Sequence, residues 1–379
     1  MSLILIITIF FIWRLVDFLI AYLAPNFIPY LGHFSYVTDL LKSKLPPFIY
    51  SWANFDGMFM LRISQKGYQE FEQAFFPLYP LIIGFIYQLT HLDRIIIGLL
   101  ISNLAFIAGL HLLTKYFNKQ KNIYWLILFI LAFPTSYYFG ALYTESLFFL
   151  FVIASLFFLK KDNWLLVFIF SFLASLTRLQ GILLLIPLGI KLIPGLKNTI
   201  NKSRDLNKLL TLLGPILGIG CYMIFLGYRF GQPLMFLTSH TVFGQSRVNR
   251  FIPLPQVYYR YLKIIITANH DFAYYRAIFE VVSFTIVAAV LFYLLYQLYK
   301  KGKILSSQSG LVLFSIAYLL MPSVSGTFLS MPRMVIIALP FFLFLADIKN
   351  RNLKILILLI FYLLHIITLE YFIQGYFIS

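Results

Sequence analysis

Acidic residues are scarce in this chain. Its 379 residues hold 13 Asp and Glu against 30 Lys and Arg, a formal net charge of +17. Charged residues of both signs make up 11% of the sequence, less than half of the ~25% usual in soluble domains. So few charges cannot clothe a water-soluble globule. With 61% hydrophobic residues and a mean hydropathy of +0.88, the chain calls for a bilayer as its solvent. Cysteine is nearly absent: Cys221 stands alone, which excludes an intrachain disulfide and a metal site built on thiolates. No fixed-period repeat or low-complexity tract is visible, which counts against transporters assembled from inverted repeats. Residues 3–23 lack a small-residue cleavage site and are too long for a removable signal peptide, so they read as a first span.

What the chain does have is long apolar runs. They fall near 3–23, 75–90, 95–114, 122–139, 142–159, 163–177, 179–193, 209–228, 276–299, 304–321, 333–347 and 353–372. At roughly 20 residues per span this predicts an all-α polytopic membrane protein with eleven to twelve transmembrane helices. The runs are too long for membrane-barrel strands. Sixteen of the 30 basic residues sit in five short clusters, at 115–121, 160–161, 191–208, 300–303 and 349–354. Basic short loops mark the cytoplasmic side, so the positive charge reads as topology, with the lipid bilayer and not nucleic acid as partner.

The layout predicted is one integral-membrane domain over 1–379. It comprises a first span (1–24), an outer loop with juxtamembrane helices (25–73), a helical module (74–228), a second outer loop (229–275) and C-terminal helices (276–379). Residues 75–90 are short and carry Pro77 and Pro80, and read as a re-entrant or juxtamembrane helix. With the basic clusters inside, Asp39, Asp56, Glu70, Glu72, Glu145 and Asp271 gather outside. Acids contribute little to topology, so their gathering asks for another reason.

The most informative stretch is 52–80, WANFDGMFMLRISQKGYQEFEQAFFPLYP. From Asp56 to Gln65 its pattern predicts a short interfacial helix with Phe59, Met60 and Ile63 on one face. Spacing alone makes Asp56 a helix N-cap. Arg14 and Asp17, mid-span at i and i+3, predict an ion pair. Arg178 and Arg333 border apolar runs at the outer surface, where a cation either serves function or snorkels to headgroups. Arg62 and Lys66 are weaker cationic candidates. Glu145 follows Pro134 and a polar-aromatic run at 135–143, and by position alone is a helix-start acid. His240, Gln245, His270 and Asp271 lie in the second outer loop. Two histidines without a third ligand make a poor zinc site.

The segments FDG…LRIS…GY…AFFPLYP, FPTSYYFGALYTESLFFLF and SLTRLQGILLLIP, in this order over roughly 52–187, resemble the signature of the GPI mannosyltransferase 2 (PIG-V-type) family and its prokaryotic relatives. After Leu209 the likeness fades to hydropathy and to Arg333 in SMPRMVIIALP. The resemblance implies a GT-C-type glycosyltransferase fold and a transfer of sugar, mannose in the first place. The donor would be a polyprenyl phosphate, and the acceptor a glycan or glycolipid on the extracytoplasmic face, with inversion of the anomeric centre. On that implication Asp56 becomes the general base that takes the acceptor's proton. Arg178 and Arg333 become the cations for the lipid phosphate. Gly57, Tyr68, Glu72, Tyr79, Tyr143, Glu145 and Gln180 become substrate-binding candidates.

No cofactor is implied. A divalent metal is the lesser expectation, since Asp56, Glu72 and Glu145 form no D-x-D pattern. The membrane would be the plasma membrane of a prokaryote or the ER membrane of a eukaryote. The chain departs from the family pattern in having Phe55 before the aspartate instead of Trp, Phe59 where eukaryotic members carry a His, and no Trp near Gln245. The competing reading is a polytopic lipid or polysaccharide transporter or flippase. A non-enzymatic scaffold would leave the first-loop signature without a purpose.

Overall fold

The computed structural model describes residues 2–32, 34, 36–118, 120–196, 208–243, 248 and 250–378. The regular structure among these residues is helical, with no strand, as the apolar runs predicted. The α-helices are α1 (Leu3–Leu23), α2 (Val37–Leu41), α3 (Pro47–Tyr50), α4 (Asp56–Lys66), α5 (Leu78–Thr90), α6 (Arg94–Tyr116), α7 (Ile123–Ala132), α8 (Glu145–Lys160) and α9 (Trp164–Thr177). They continue as α10 (Leu185–Leu196), α11 (Leu213–Phe230), α12 (Met235–Phe243), α13 (Leu254–Thr267), α14 (Phe272–Lys300), α15 (Ser307–Ser323), α16 (Met331–Val335), α17 (Leu339–Ala346) and α18 (Arg351–Ile373).

Five segments among the described residues are long and apolar enough to cross a membrane: Leu3–Asn26, Arg94–Tyr116, Lys208–Phe230, Phe272–Lys300 and Arg351–Ile373. Several other apolar runs form shorter helices, including Leu78–Thr90, Ile123–Ala132, Trp164–Thr177 and Ser307–Ser323. Prolines account for some of the shortening. The run at 122–139 stops as helix at Ala132, just before Phe133-Pro134, because proline drives its predecessor out of the helical region. The run at 333–347 divides into α16 and α17, each with proline in its first turn. The 13 residues of α5 rise about 20 Å, short of the ~30 Å hydrocarbon core.

The chain divides into two compact units, one of residues 1–157 and 345–378 and the other of 158–344. In the first, α1 packs on α6 and α18, α18 on α7, and α5 on α4 and α6. Its interior is aromatic: Phe106 stacks on Phe139 at 4.2 Å, and Trp13 Nε1 donates to Leu131 O at 3.1 Å. The predicted Arg14–Asp17 pair is there, at 3.3 Å, and both side chains are buried. In the second unit α9 packs on α11, α10 on α15, and α14 on α13, α15 and α16. The α9–α11 approach depends on Gly214 and Gly218, one turn apart. A Cβ on either would run into the α9 backbone at Phe168 O or Phe172 O, so the pair acts as a small-xxx-small contact.

Candidate functional site

The first unit holds Asp56 at a sharply bent corner. Asp56 opens α4, and the residue before it, Phe55, has φ 58° and ψ −112°. A bulky residue there is strained, and such strain persists only where the surroundings over-determine it. Three contacts do so. The Asn54 side-chain amide donates to Phe372 O (2.9 Å) and Ile373 O (3.2 Å). The Phe55 ring meets Phe34 at 4.7 Å, Phe377 at 5.1 Å and Phe372 at 5.9 Å. The Tyr143 hydroxyl donates to Asn54 O at 2.7 Å. Gly57 then lets α4 lie against the 142–143 backbone, since a Cβ there would sit 3.0 Å from Leu142 O. Asp56 is left half-buried at the head of the helix.

These contacts tie Asp56 and Gly57 to the segment that ends in Tyr143 and Glu145. Glu145 is fully buried as the first residue of α8. Tyr143 and Tyr79 are fully buried too, and their hydroxyls bind inside the protein. Tyr79 donates to Gly98 O (2.9 Å) and shares a hydrogen bond with Ser102 Oγ (2.7 Å). Tyr68 donates to Phe75 O at 2.7 Å. Phe59 stacks on Phe75 with ring centroids 5.0 Å apart. The interfacial helix predicted over 56–65 is present within a residue. Its first half, however, is packed in protein, with Met58, Phe59, Met60, Leu61 and Ile63 buried.

Glu72 opens the 3₁₀ turn Glu72–Ala74 that follows α4 and is 1% exposed. Its Oε1 accepts from Arg62 Nε at 3.1 Å and its Oε2 from the Gln69 N–H at 2.9 Å. Arg62 also donates to Asp39 Oδ2 at 3.2 Å, and its guanidinium lies 3.8 Å over the Tyr36 ring. Burial works against the Arg62 charge, but Glu72, Tyr36 and Asp39 more than offset it and hold the guanidinium above its ordinary range. Among the described residues no three His, Cys, Asp or Glu side chains gather as metal ligands.

In the second unit Arg178 reaches the helix that carries Arg333. Arg178 caps α9 in extended conformation, its N–H donating to Ala174 O, and it is 9% exposed. Its Nη2 donates to Met334 Sδ at 3.5 Å, beside Arg333 on α16. Arg333 is 8% exposed. Gln180 sits half-buried on the 3₁₀ turn that follows Arg178. Gln245 lies outside the described residues, as does the His240 side chain. His270 and Asp271 are exposed, and Asp271 caps α14 by accepting from Tyr274 N.

No family model matches the chain. Among curated proteins it is 30% identical over 228 residues to GPI mannosyltransferase 2 of Schizosaccharomyces pombe. The chain is similar, distantly and in part, to a glycosyltransferase. The match covers 56% of this chain, and the chain spans about half the length of this relative, 47% of it.

Several residues that the second unit places near Arg333 carry no motif like that of the mannosyltransferases and were not legible in the sequence. Tyr261 on α13 donates to Glu280 Oε2 at 2.6 Å and accepts from the Phe328 N–H at 3.0 Å. It also shares a hydrogen bond with Thr327 Oγ1 at 3.0 Å. Burial and the Glu280 carboxylate push its phenol pKa well up. Arg260 donates to Gly326 O at 2.9 Å. Together they pin the loop that leads through Ser330, at φ 70°, into Arg333. Glu280 was findable, being an acid inside an apolar run with Arg276 one turn before it.

In the first unit, His365 Nε2 bonds Asp17 Oδ1 (2.9 Å), and Ser136 Oγ lies 3.2 Å from His365 Nδ1. The line has the order of a Ser-His-Asp relay. All three groups are buried, though, and Ser136 already donates to Leu131 O, so the line serves packing.

Proposed function

We propose that this protein is a membrane glycosyltransferase that moves a sugar, mannose in the first place, from a polyprenyl-phosphate donor to a hydroxyl of a glycan or glycolipid on the extracytoplasmic face. The observation that carries the reading is the 30% identity over 228 residues to GPI mannosyltransferase 2. The placement of Asp56 supports it: its half-buried side chain rises from a braced, strained backbone corner.

In the proposed reaction the acceptor oxygen attacks the anomeric carbon from the face opposite the phosphate. Its proton passes to the Asp56 carboxylate. The bond from the anomeric carbon to the phosphate oxygen breaks, and the lipid phosphate leaves with the electron pair. Arg178 and Arg333 stabilise the charge that develops on it, as guanidinium forks match phosphate oxygens. A single displacement of this kind inverts the anomeric centre. Glu145, buried at a helix start, orients the segment that faces the acceptor.

The test is transfer from labelled polyprenyl-phosphate mannose by the protein in nanodiscs, across a panel of glycan and glycolipid acceptors. Wild type transfers sugar, and Asp56→Asn loses about 10²–10⁴-fold of the rate while its unfolding temperature is kept. Transfer by Asp56→Asn at the wild-type rate removes the base assignment. Movement of the lipid across the bilayer without sugar transfer establishes the transporter instead.

A further inference from the structure

Three bulky residues of the first outer loop have left-handed backbones: Tyr36 (φ 61°), Phe55 (φ 58°) and Phe71 (φ 65°). All three are aromatic, and none sits where glycine would be needed for a tight approach. Two of them lie beside Asp56. The Phe55 ring meets Phe34 at 4.7 Å, just before Asp56 in the chain. The Phe59 ring meets Tyr36 at 5.5 Å, one turn after it. Phe34 and Tyr36 therefore bracket the first turn of α4, where the Asp56 carboxylate emerges.

Both rings are held by neighbours and keep part of their surface exposed. Phe34 lies against the backbone of Gly375, where a Cβ would come within 3.3 Å of it. The Leu31 N–H donates to Gln374 O at 2.9 Å and fixes the approach to Phe34. Tyr36 carries the Arg62 guanidinium on one face at 3.8 Å, and Arg62 is itself clamped by Glu72 and Asp39. Yet Tyr36 is 41% exposed and Phe34 is half-buried. Tyr36, left-handed and clamped, and Phe34, held against Gly375, both keep ring surface exposed, as a preformed binding surface requires. The ordering entropy is met in advance, which is what preorganised binding requires.

We infer that Phe34 and Tyr36 form a platform for the pyranose ring of the acceptor. The C–H-rich face of a pyranose is apolar while its rim is polar. An aromatic ring buries the face, and adjacent charged groups bind the hydroxyls. Here the charged groups beside the rings are Arg62, over Tyr36, and Asp39, its ion-pair partner, with Asp56 opening the helix whose flanking Phe55 and Phe59 the two rings meet. A fatty chain would take no advantage of them. The proposal rests on the transferase reading only for the word acceptor; the platform itself is a sugar-binding surface. It also explains why Tyr79 and Tyr143 are not needed for stacking: their rings are in the core.

The experiment is saturation-transfer-difference NMR on the full chain in nanodiscs. The probes are the methyl pyranosides of mannose, glucose, galactose and N-acetylglucosamine at millimolar concentration. Wild type shows transfer to the ring C–H protons of at least one probe. Tyr36→Asn, chosen because asparagine suits the left-handed backbone, and Phe34→Leu each weaken binding about threefold to tenfold. Tyr36→Phe keeps the ring and keeps binding. Circular dichroism and the unfolding temperature report that each variant is folded.

If no probe binds wild type, or if the folded Tyr36→Asn and Phe34→Leu variants bind as wild type does, the platform is overturned and Tyr36 is an interfacial anchor. If the probes bind as described but no sugar is transferred from polyprenyl-phosphate mannose, the platform stands and the transferase reading fails.

Discussion

Taking away either member of the Arg14–Asp17 pair leaves a charge stranded inside a helical bundle. Arg14 also donates to Gly140 O at 3.1 Å and lies over the Trp52 ring at 4.1 Å, while Asp17 bonds His365. Breaking a buried pair in this way destabilises by roughly 3–5 kcal/mol. Asp17→Ala is therefore expected to lower the unfolding temperature of the detergent-solubilised protein far more than Asp39→Ala, whose carboxylate is exposed. Equal thermal shifts would show that the pair is not structural. At this scale the i, i+3 spacing of Arg14 and Asp17 was enough to pair them. His365 was not legible, because it reaches Asp17 across 348 residues of sequence. Glu72 shows the opposite limit. Its place in the family-like segment suggested substrate, while its nearest partners, Arg62 and the Gln69 N–H, follow from a turn that no spacing rule announces.

Between elements, the coupling to follow is that of α13 to α16. Tyr261 joins Glu280 of α14 to the Thr327–Phe328 turn, and that turn leads into Arg333. Tyr261→Phe leaves the Phe328 N–H without its partner, worth about 1–3 kcal/mol. On the proposed role of Arg333, the donor KM should rise about tenfold, with kcat within about twofold of wild type. A donor titration decides this; an unchanged KM in a folded Tyr261→Phe enzyme would uncouple the turn from donor binding. Helix positions were legible, since hydropathy periods mark α1, α6, α14 and α18 within a few residues. Helix breaks at Pro134 and within 333–347 were less so, because apolar content runs unbroken across both while the backbone stops. The Tyr261 node was illegible for a related reason: α13 sits in a polar stretch, and its partners lie 19 and 67 residues away.

For the whole molecule, the distribution of basic clusters predicts a sidedness that can be measured. α6 rises about 34 Å over its 23 residues, enough to cross the hydrocarbon core. Asp93 precedes it and Gln120 follows it. In a Cys221→Ser background, Asp93→Cys and Gln120→Cys are expected to label from opposite sides of sealed vesicles, with Gln120→Cys on the cytoplasmic side. Labelling of both from one side would overturn the topology. The scarcity of charge made the fold class plain and left few acids to search, so Asp56 was legible. What surrounds Asp56 was not, because its braces come from the far end of the sequence. That distance sets a timetable for synthesis. Asn54 leaves the ribosome 318 residues before Phe372, the residue whose carbonyl its amide grips. At about 5–20 residues per second, the Phe55 corner waits roughly 15 to 60 s, already at the translocon, without the aromatic cover that keeps it bent. The Asp56 corner is thus among the last parts of the molecule to set, because its brace is made only when the C-terminal helix has been synthesised.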